Sequence, residues 1–346
     1  MDNFPDRSIT IRRRAIAALA GVGLVLVADT CLWALGLQAL RHRLDATIGT
    51  IRDAGGQADY AEARRGGWPF AATLTLVNPR VIVRIPSAGH VGWGAPTLRL
   101  ALGPFSPTRL RLSTDGPQAV LPTADGDASD HTGFSGWRAA FRALGPQRVI
   151  ARALVVTVPW TGHGTTRIDV RARSLDAPAW PVALQGVSLA IRPDPIAGTF
   201  TLRLTVRDGT FPDGSPSPWP LHDLDAAFGV STDTQQTAAV ALRTAVTHWG
   251  PMTLHMAGQL HRCCGPDAVG DATLIASHVR DAADALSGAG ALPPDLRAVL
   301  LRDGGRVPDP VQIPLSVRSG TVLAGTLPLR DLIAAWRLGA GAASPP

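Results

Sequence analysis

The order of apolar and polar positions divides the chain into two regimes. From Ala15 to Leu40 apolar residues run almost unbroken; Asp29 is the only charged residue, and Arg12, Arg13 and Arg14 stand in front. A hydrocarbon core needs about 20 apolar residues in a helix, so the run predicts a transmembrane anchor over 15–37. The basic flank predicts that residues 1–14 stay in the cytoplasm, which places the bulk of the chain in the periplasm beyond the inner membrane. Leu44, Ile48 and Ile51 share one helical face, so the helix is expected to continue as a stalk over 38–56 and stop at Gly55-Gly56.

Past that point the period changes from 3.6 to two. Thr73–Val77, Val81–Ile85, Thr97–Leu102 and Thr108–Leu112 alternate leucine, valine or isoleucine with threonine or arginine. Asn78-Pro79 and Gly103-Pro104 punctuate them as turns. In the second half Leu154–Val158, Thr166–Ala172, Val187–Ile191, Phe200–Val206, Ala226–Val230, Ala238–Arg243 and Met252–Leu260 read as strands, and Val311–Val317 with Thr321–Leu327 as a closing hairpin. Gly136–Leu144, Leu274–Leu286 and Asp295–Leu301 read as short amphipathic helices, and Asp125–Thr132 and Gly209–Pro220 as loops.

The expected fold is therefore mainly β with a few helices (α+β): an N-terminal transmembrane helix, then a large, curled, mostly antiparallel sheet partly covered by short amphipathic helices. Residues 57–208 and 209–346, the latter with helices at about 274–301, form two β-rich halves, read either as separate modules or as one continuous domain. Trp93–Ala101 resembles Trp249–Ala257, and Trp68-Pro69 and Trp219-Pro220 precede the two copies, a pattern that two tandem β-modules would leave.

The apolar start has a rival reading as a cleaved signal peptide, with Ala15–Ala28 as its core and Ala34-Leu35-Gly36 as the cleavage site. Apolar character resumes at Cys31–Leu35, Trp33 suits an interfacial ring, and Arg41-His42-Arg43 supplies a polar stop; the uncleaved anchor fits better. Asp29 is placed near the outer headgroups rather than in a proton path. Asp29 and Thr30 also stand before Cys31 where a lipid-attachment site would carry small neutral residues.

Composition changes the picture in three ways. Hydrophobic residues make up 45% of 346 and charged residues 17%, which excludes a disordered chain. All 33 basic residues are arginine, a pattern that GC-rich codons explain as well as phosphate recognition does. The net charge of +6 favours anionic lipid or other acidic partners; a periplasmic address argues against nucleic acid. Of three cysteines, Cys31 lies in the anchor and Cys263 and Cys264 are adjacent, so no disulfide framework holds the fold.

Gly67-Trp68-Pro69-Phe70, Trp93-Gly94-Ala95-Pro96, Pro104-Phe105-Ser106-Pro107 and Ile313–Gly320 carry a resemblance. Together they resemble the bacterial family called domain of unknown function 2125, whose members typically have a membrane helix, a Gly-Phe-Pro-Phe motif and a Trp-x-Ala-Pro strand. Trp68 here replaces the first phenylalanine. The resemblance implies an envelope protein without an assigned activity and brings no catalytic residues, since its motifs build turns. The layout is also similar to AsmA-like proteins, in which a curled sheet offers an apolar groove to lipid.

No enzymatic signature emerges. His248, His255, His261, Cys263, Cys264 and His278 cluster in sequence without the spaced pairs that zinc prefers. Gly133-Phe134-Ser135-Gly136 falls one residue short of a nucleophile elbow, and Gly89–Gly94 leads into a strand rather than a helix. The expectation is a non-catalytic protein with no cofactor and no metal, binding lipid or other apolar envelope material. Leu74, Leu76, Leu98, Leu100, Leu110, Leu112, Leu254 and Met256 are the expected groove lining, with arginines on the rim. The alternative is a structural module that docks an envelope partner protein.

Overall fold

A computed structural model describes residues 7–85, 89–103, 106–123, 147–160, 167–177, 182–194, 199–211, 219–232, 238–261, 269–288, 309–318 and 321–328. The chain opens with one helix, α1 (Arg7–Asp53), 47 residues long. It stops where the sequence places the stop: Gly55 takes φ 78°, and the Gly56 N–H donates to the Ile51 carbonyl at 2.8 Å, satisfying an end group that the helix leaves open.

Burial divides α1 into two parts. Leu19, Val22, Leu24, Val25, Val27 and Leu32 are exposed, and this is the one described helix long and apolar enough to cross a membrane. From Trp33 onward the helix lies against the sheet: Leu37 and Leu40 join the main core, with Leu40 fully buried, and Trp33 and Leu44 pack beside them. The segment read as a stalk is thus helical as far as Asp53 and rests on the strands. The last residues assigned to the anchor, Trp33 to Leu37, already touch the body.

Among the described residues eighteen strands follow in a single sheet. They are β1 (Gln57–Asp59), β2 (Glu62–Gly66), β3 (Ala72–Val77), β4 (Arg80–Ile85), β5 (Gly89–Gly94), β6 (Thr97–Gly103), β7 (Ser106–Thr123), β8 (Gln147–Pro159) and β9 (Ile168–Asp176). The second half adds β10 (Ala183–Pro193), β11 (Thr199–Thr210), β12 (Leu221–Thr232), β13 (Ala238–Trp249), β14 (Met252–His261), β15 (Val269–Ser277), β16 (Val311–Arg318), β17 (Thr321–Ala324) and β18 (Leu327–Pro328), with a second helix, α2 (Val279–Gly288), after β15. Every described pairing is antiparallel, and from β7 to β18 each strand pairs with the next, a twelve-strand meander. Its ends do not meet, so the sheet is open.

The first half is built differently. β7 bends at a bulge between Thr114 and Gly116; its first part pairs with β6 up to Ser113, and its last part pairs with β5 from Ala119. The sheet forks there. One branch runs β7-β6-β3-β2 and the other β7-β5-β4-β1. Pro117 sits in the gap between the branches, where its missing N–H leaves no ladder bond unmade on that side. Three crossings carry the chain between branches, at β1–β2, β3–β4 and β5–β6, and the last two bond to each other: Asn78 N–H to the Pro96 carbonyl at 2.8 Å, and Ala95 N–H to the Pro79 carbonyl at 3.3 Å.

Several sequence expectations change. Asn78-Pro79 is a crossing rather than a hairpin turn, because β3 and β4 belong to different branches. Leu274–Ser277 is the end of β15, and the helix begins only at Val279; His278 breaks the two with φ 62°. Thr273, Ile275 and their neighbours gain ladder bonds on both sides, from β14 and β16, which outweighs a helical period read from one strand alone. Gly89–Gly94, read as leading into a strand, is itself β5. The resemblance between Trp93–Ala101 and Trp249–Ala257 does not extend to topology: Trp249 directly opposes Met252 in a tight hairpin, whereas β5 and β6 do not pair. The helices expected at Gly136–Leu144 and Asp295–Leu301, and the loop at Asp125–Thr132, lie outside the described residues.

Leu40 is the best-buried large side chain and joins α1 to the sheet. Leu40→Ala is expected to cost about 2–5 kcal/mol, as a lost core side chain does. Thermal unfolding of the detergent-solubilised chain, followed by circular dichroism, measures the drop.

Candidate functional site

Directly opposed residues in an antiparallel ladder share a face, so the register can be followed from strand to strand. Leu74 opposes Leu100, Leu100 opposes Leu112, Leu112 opposes Val156, and Val156 opposes Val170. The row continues through Leu189, Leu204, Ala226 and Ala245. It ends through Met256, Leu274 and Ile313. Twelve strands thus contribute one apolar residue each, with no polar member. At about 4.8 Å per strand the row is roughly 50 Å long.

A neighbouring row on the same face is apolar as well: Ile168, Ile191, Leu202, Phe228, Leu242, Gly258, Ala272, Leu315 and Ala324. In β13 a bulge falls between Leu242 and Ala245, and the apolar positions shift from a spacing of two to three across it. The insertion would otherwise turn one of the two residues to the wrong face. Sequence and backbone irregularity are matched here.

The opposite face is polar. Arg99 opposes Ser113, Arg171 opposes Ser188, and Thr205 opposes Asp225. Arg203 forms a forked ion pair with Asp225, Nε to Oδ1 at 3.0 Å, and this guanidinium holds the Asp225 carboxyl below the usual carboxylate range. His255 Nε2 meets Thr244 Oγ1 at 3.1 Å, and His248 Nδ1 meets Thr253 Oγ1 at 3.2 Å. Among the described residues no three His, Cys, Asp or Glu side chains gather as metal ligands, and Cys263 and Cys264 lie outside those residues.

Helices cover two patches of the apolar face, and a third, Ala172, Val187 and Val206 of β9 to β11, is buried among Leu154, Leu184, Leu204 and Leu224 of the sheet itself. α1 packs against β1, β3 and β6, and α2 against β14. Beneath α1, Leu76, Leu98, Leu100, Leu110 and Leu112 line a cavity of about 250 Å³, closed from above by Leu44, Ile48 and Ile51 and flanked by Tyr60 and Trp160. Leu74 lies in the adjoining core with Leu37 and Leu40. Leu254 packs at the other end with Met252, Ala276 and Ala282 of α2, beside Trp219 and Trp249, whose rings meet edge to face at 5.6 Å. Met256 belongs to the long row. Six of the eight expected lining residues therefore come together under α1, and the other two stand seven strands away on the same face.

Val156, Val170, Leu189 and Leu204 occupy the intervening stretch and are half-buried. Among the described residues the helices pack mainly against β1, β3, β6 and β14 rather than β8 to β13. Sequence reasoning identified their strands yet did not connect them, because only register shows that the residues form one line.

The motif residues hold corners. The Trp93 indole N–H donates to Gln118 Oε1 at 3.1 Å, at the fork, and Pro96 accepts the crossing bond. Gly67, with φ 89°, opens the β2–β3 turn; a Cβ there would lie 2.2 Å from the Ala71 carbonyl oxygen. Two indoles then fasten this turn to the helix. Trp33 Nε1 donates to the Gly66 carbonyl at 3.1 Å, and Trp68 Nε1 donates to Thr30 Oγ1 at 3.2 Å.

A family model described as an uncharacterized protein conserved in bacteria (DUF2125) matches residues 33–332. No curated protein matches the chain. The chain belongs to that family, and the matched span begins at Trp33, the residue where the helix first meets the sheet.

Because the Asp225 pKa is lowered in the fold, the Arg203 pair stabilises above the carboxylate's unfolded value, about 3.9, and the benefit is lost as pH falls through the lower folded value. Arg203→Met is expected to lower the melting temperature slightly at pH 7 and by less at pH 3. Melts of the two chains at both pH values test the sign.

Proposed function

We propose that this protein is a non-catalytic, single-pass inner-membrane protein whose periplasmic sheet binds lipid or other apolar envelope material along its uncovered face. The observation that carries the reading is the unbroken apolar row across twelve strands, of which the described helices cover only the two ends and whose middle members are half-buried. A half-buried apolar row of this length, without a described helix over its middle, is the kind of surface that binds apolar material. A length of roughly 50 Å exceeds what one small ligand needs and fits extended chains laid across or along the strands. The exposed half of α1 supplies the anchor, and the basic residues before it set the orientation.

Two outcomes test this. Native mass spectrometry of the detergent-extracted full chain is expected to find co-purifying lipid, and Leu189→Asp with Leu204→Asp to reduce it while the chain stays in the membrane. A ligand-free wild type, or equal loading of the variant, overturns the lipid reading. The uncut chain, detected through a tag at its N-terminus, is expected in the membrane pellet after alkaline carbonate extraction. Recovery in the supernatant, or loss of the tag, overturns the anchor.

A further inference from the structure

The β2–β3 turn is an unusual surface feature. Phe70 is 80% exposed and Trp68 53% exposed, side by side at the tip of a two-stranded projection. The turn does not stand free of the rest of the chain. Trp68 is bonded to Thr30, and Trp33 to Gly66, so the tip is held against α1 within its exposed apolar stretch, flanked along the helix by Leu26, Val27 and Leu32. Asp29, next to this junction, has one carboxylate oxygen buried without a partner among the described residues.

Helix geometry gives the depth. Starting at Ala15, about 20 residues at 1.5 Å each bring the outer limit of a 30 Å hydrocarbon core to Ala34. Thr30 is four residues, about 6 Å, inside that limit, so Asp29 lies deeper than the headgroup level expected from the sequence. A turn clamped at Thr30 cannot remain outside the bilayer if the helix spans it. On the body side of the clamp, Arg41, His42 and Arg65, with the carboxylate of Asp45, line an open cleft of about 510 Å³ together with Trp33, Leu37 and Leu74, so the cleft keeps a net positive charge. Arg41 stands seven residues, about 10 Å, beyond Ala34, where phosphate headgroups lie.

We infer that the Trp68-Pro69-Phe70 tip is a second membrane contact, inserted into the outer leaflet beside α1, with Arg41 and Arg65 facing lipid phosphates. The occupant is the lipid of the membrane that α1 crosses; the inference rests on the anchor reading and not on lipid binding along the sheet. Aromatic rings favour this interfacial depth, and arginine above them completes an amphipathic contact of the kind interfacial segments make. The contact gives the body a fixed seat on the membrane, which one helix alone does not provide.

The full chain in vesicles of phosphatidylethanolamine and phosphatidylglycerol, with a phospholipid carrying a diazirine in its acyl chain, provides the test. After irradiation, adducts are expected on residues 67–71 as well as on α1, and Trp68→Ser with Phe70→Ser is expected to abolish those on the turn alone. A second measurement uses Phe70→Cys in a background with Cys31→Ala, Cys263→Ala and Cys264→Ala, labelled with an environment-sensitive fluorophore and compared with Thr97→Cys at the far end of β6. The label at 70 is expected to be quenched by lipid-borne nitroxide and shielded from aqueous iodide, and the label at 97 the reverse. Adducts confined to α1, with position 70 as open to iodide as position 97, overturn the insertion and leave the anchor standing. Absence of adducts from α1 as well overturns both.

Discussion

The structure depends on how one apolar sheet face is kept from water. A sheet of this width cannot be covered by the helices described, and the chain uses its longest one at a single place, the forked first half. There Leu37 and Leu40 of α1 enter a core with Leu74, Leu76, Leu100 and Leu102. The amphipathic second half of α1 supplies the apolar stripe that the first three ladders need. The same helix is therefore both the covering of the core and the part of the chain that leaves the body. Removing the helix would expose the best-packed region of the sheet.

The fork makes that packing possible. A single flat ladder would present its leucines to only one side of a helix. By alternating between branches, the chain brings β1 and the β3–β6 pair around α1 from two directions. The bulge at Thr114–Gly116 lets one long strand serve both branches, and the paired crossings at Asn78 and Pro96 stitch them together. Trp93, Ala95 and Pro96 lie at this junction, where Trp93 bonds Gln118 and the Pro96 carbonyl takes the crossing bond.

Strands were the most legible feature in the sequence. Thr73–Val77, Phe200–Val206 and Met252–Leu260 alternate cleanly and each is a strand. The reading stopped short wherever a bulge interrupts the alternation: at Leu112, since Ser113–Pro117 resembles a turn, and at Arg243, where β13 shifts register. A local period cannot distinguish a bulge from a strand end, because the bonds that carry the strand onward come from its neighbours. The expected lining at Leu76, Leu98, Leu100, Leu110 and Leu112 does gather at one cavity, as alternate positions on neighbouring strands must. That Met256 shares a line with Leu112 was illegible, as it depends on seven successive registers.

The uninterrupted course of α1 has a mechanical consequence. Its 47 residues extend about 70 Å without a hinge, and its far portion is bolted to the strands by Leu40 and by two indole bonds. A body joined through a slack linker would swivel, and its orientation would be averaged away. Here any tilt or roll of the rod is passed to the sheet as a whole. The compass direction in which β8 to β13 face is set by how the rod is turned about its own axis.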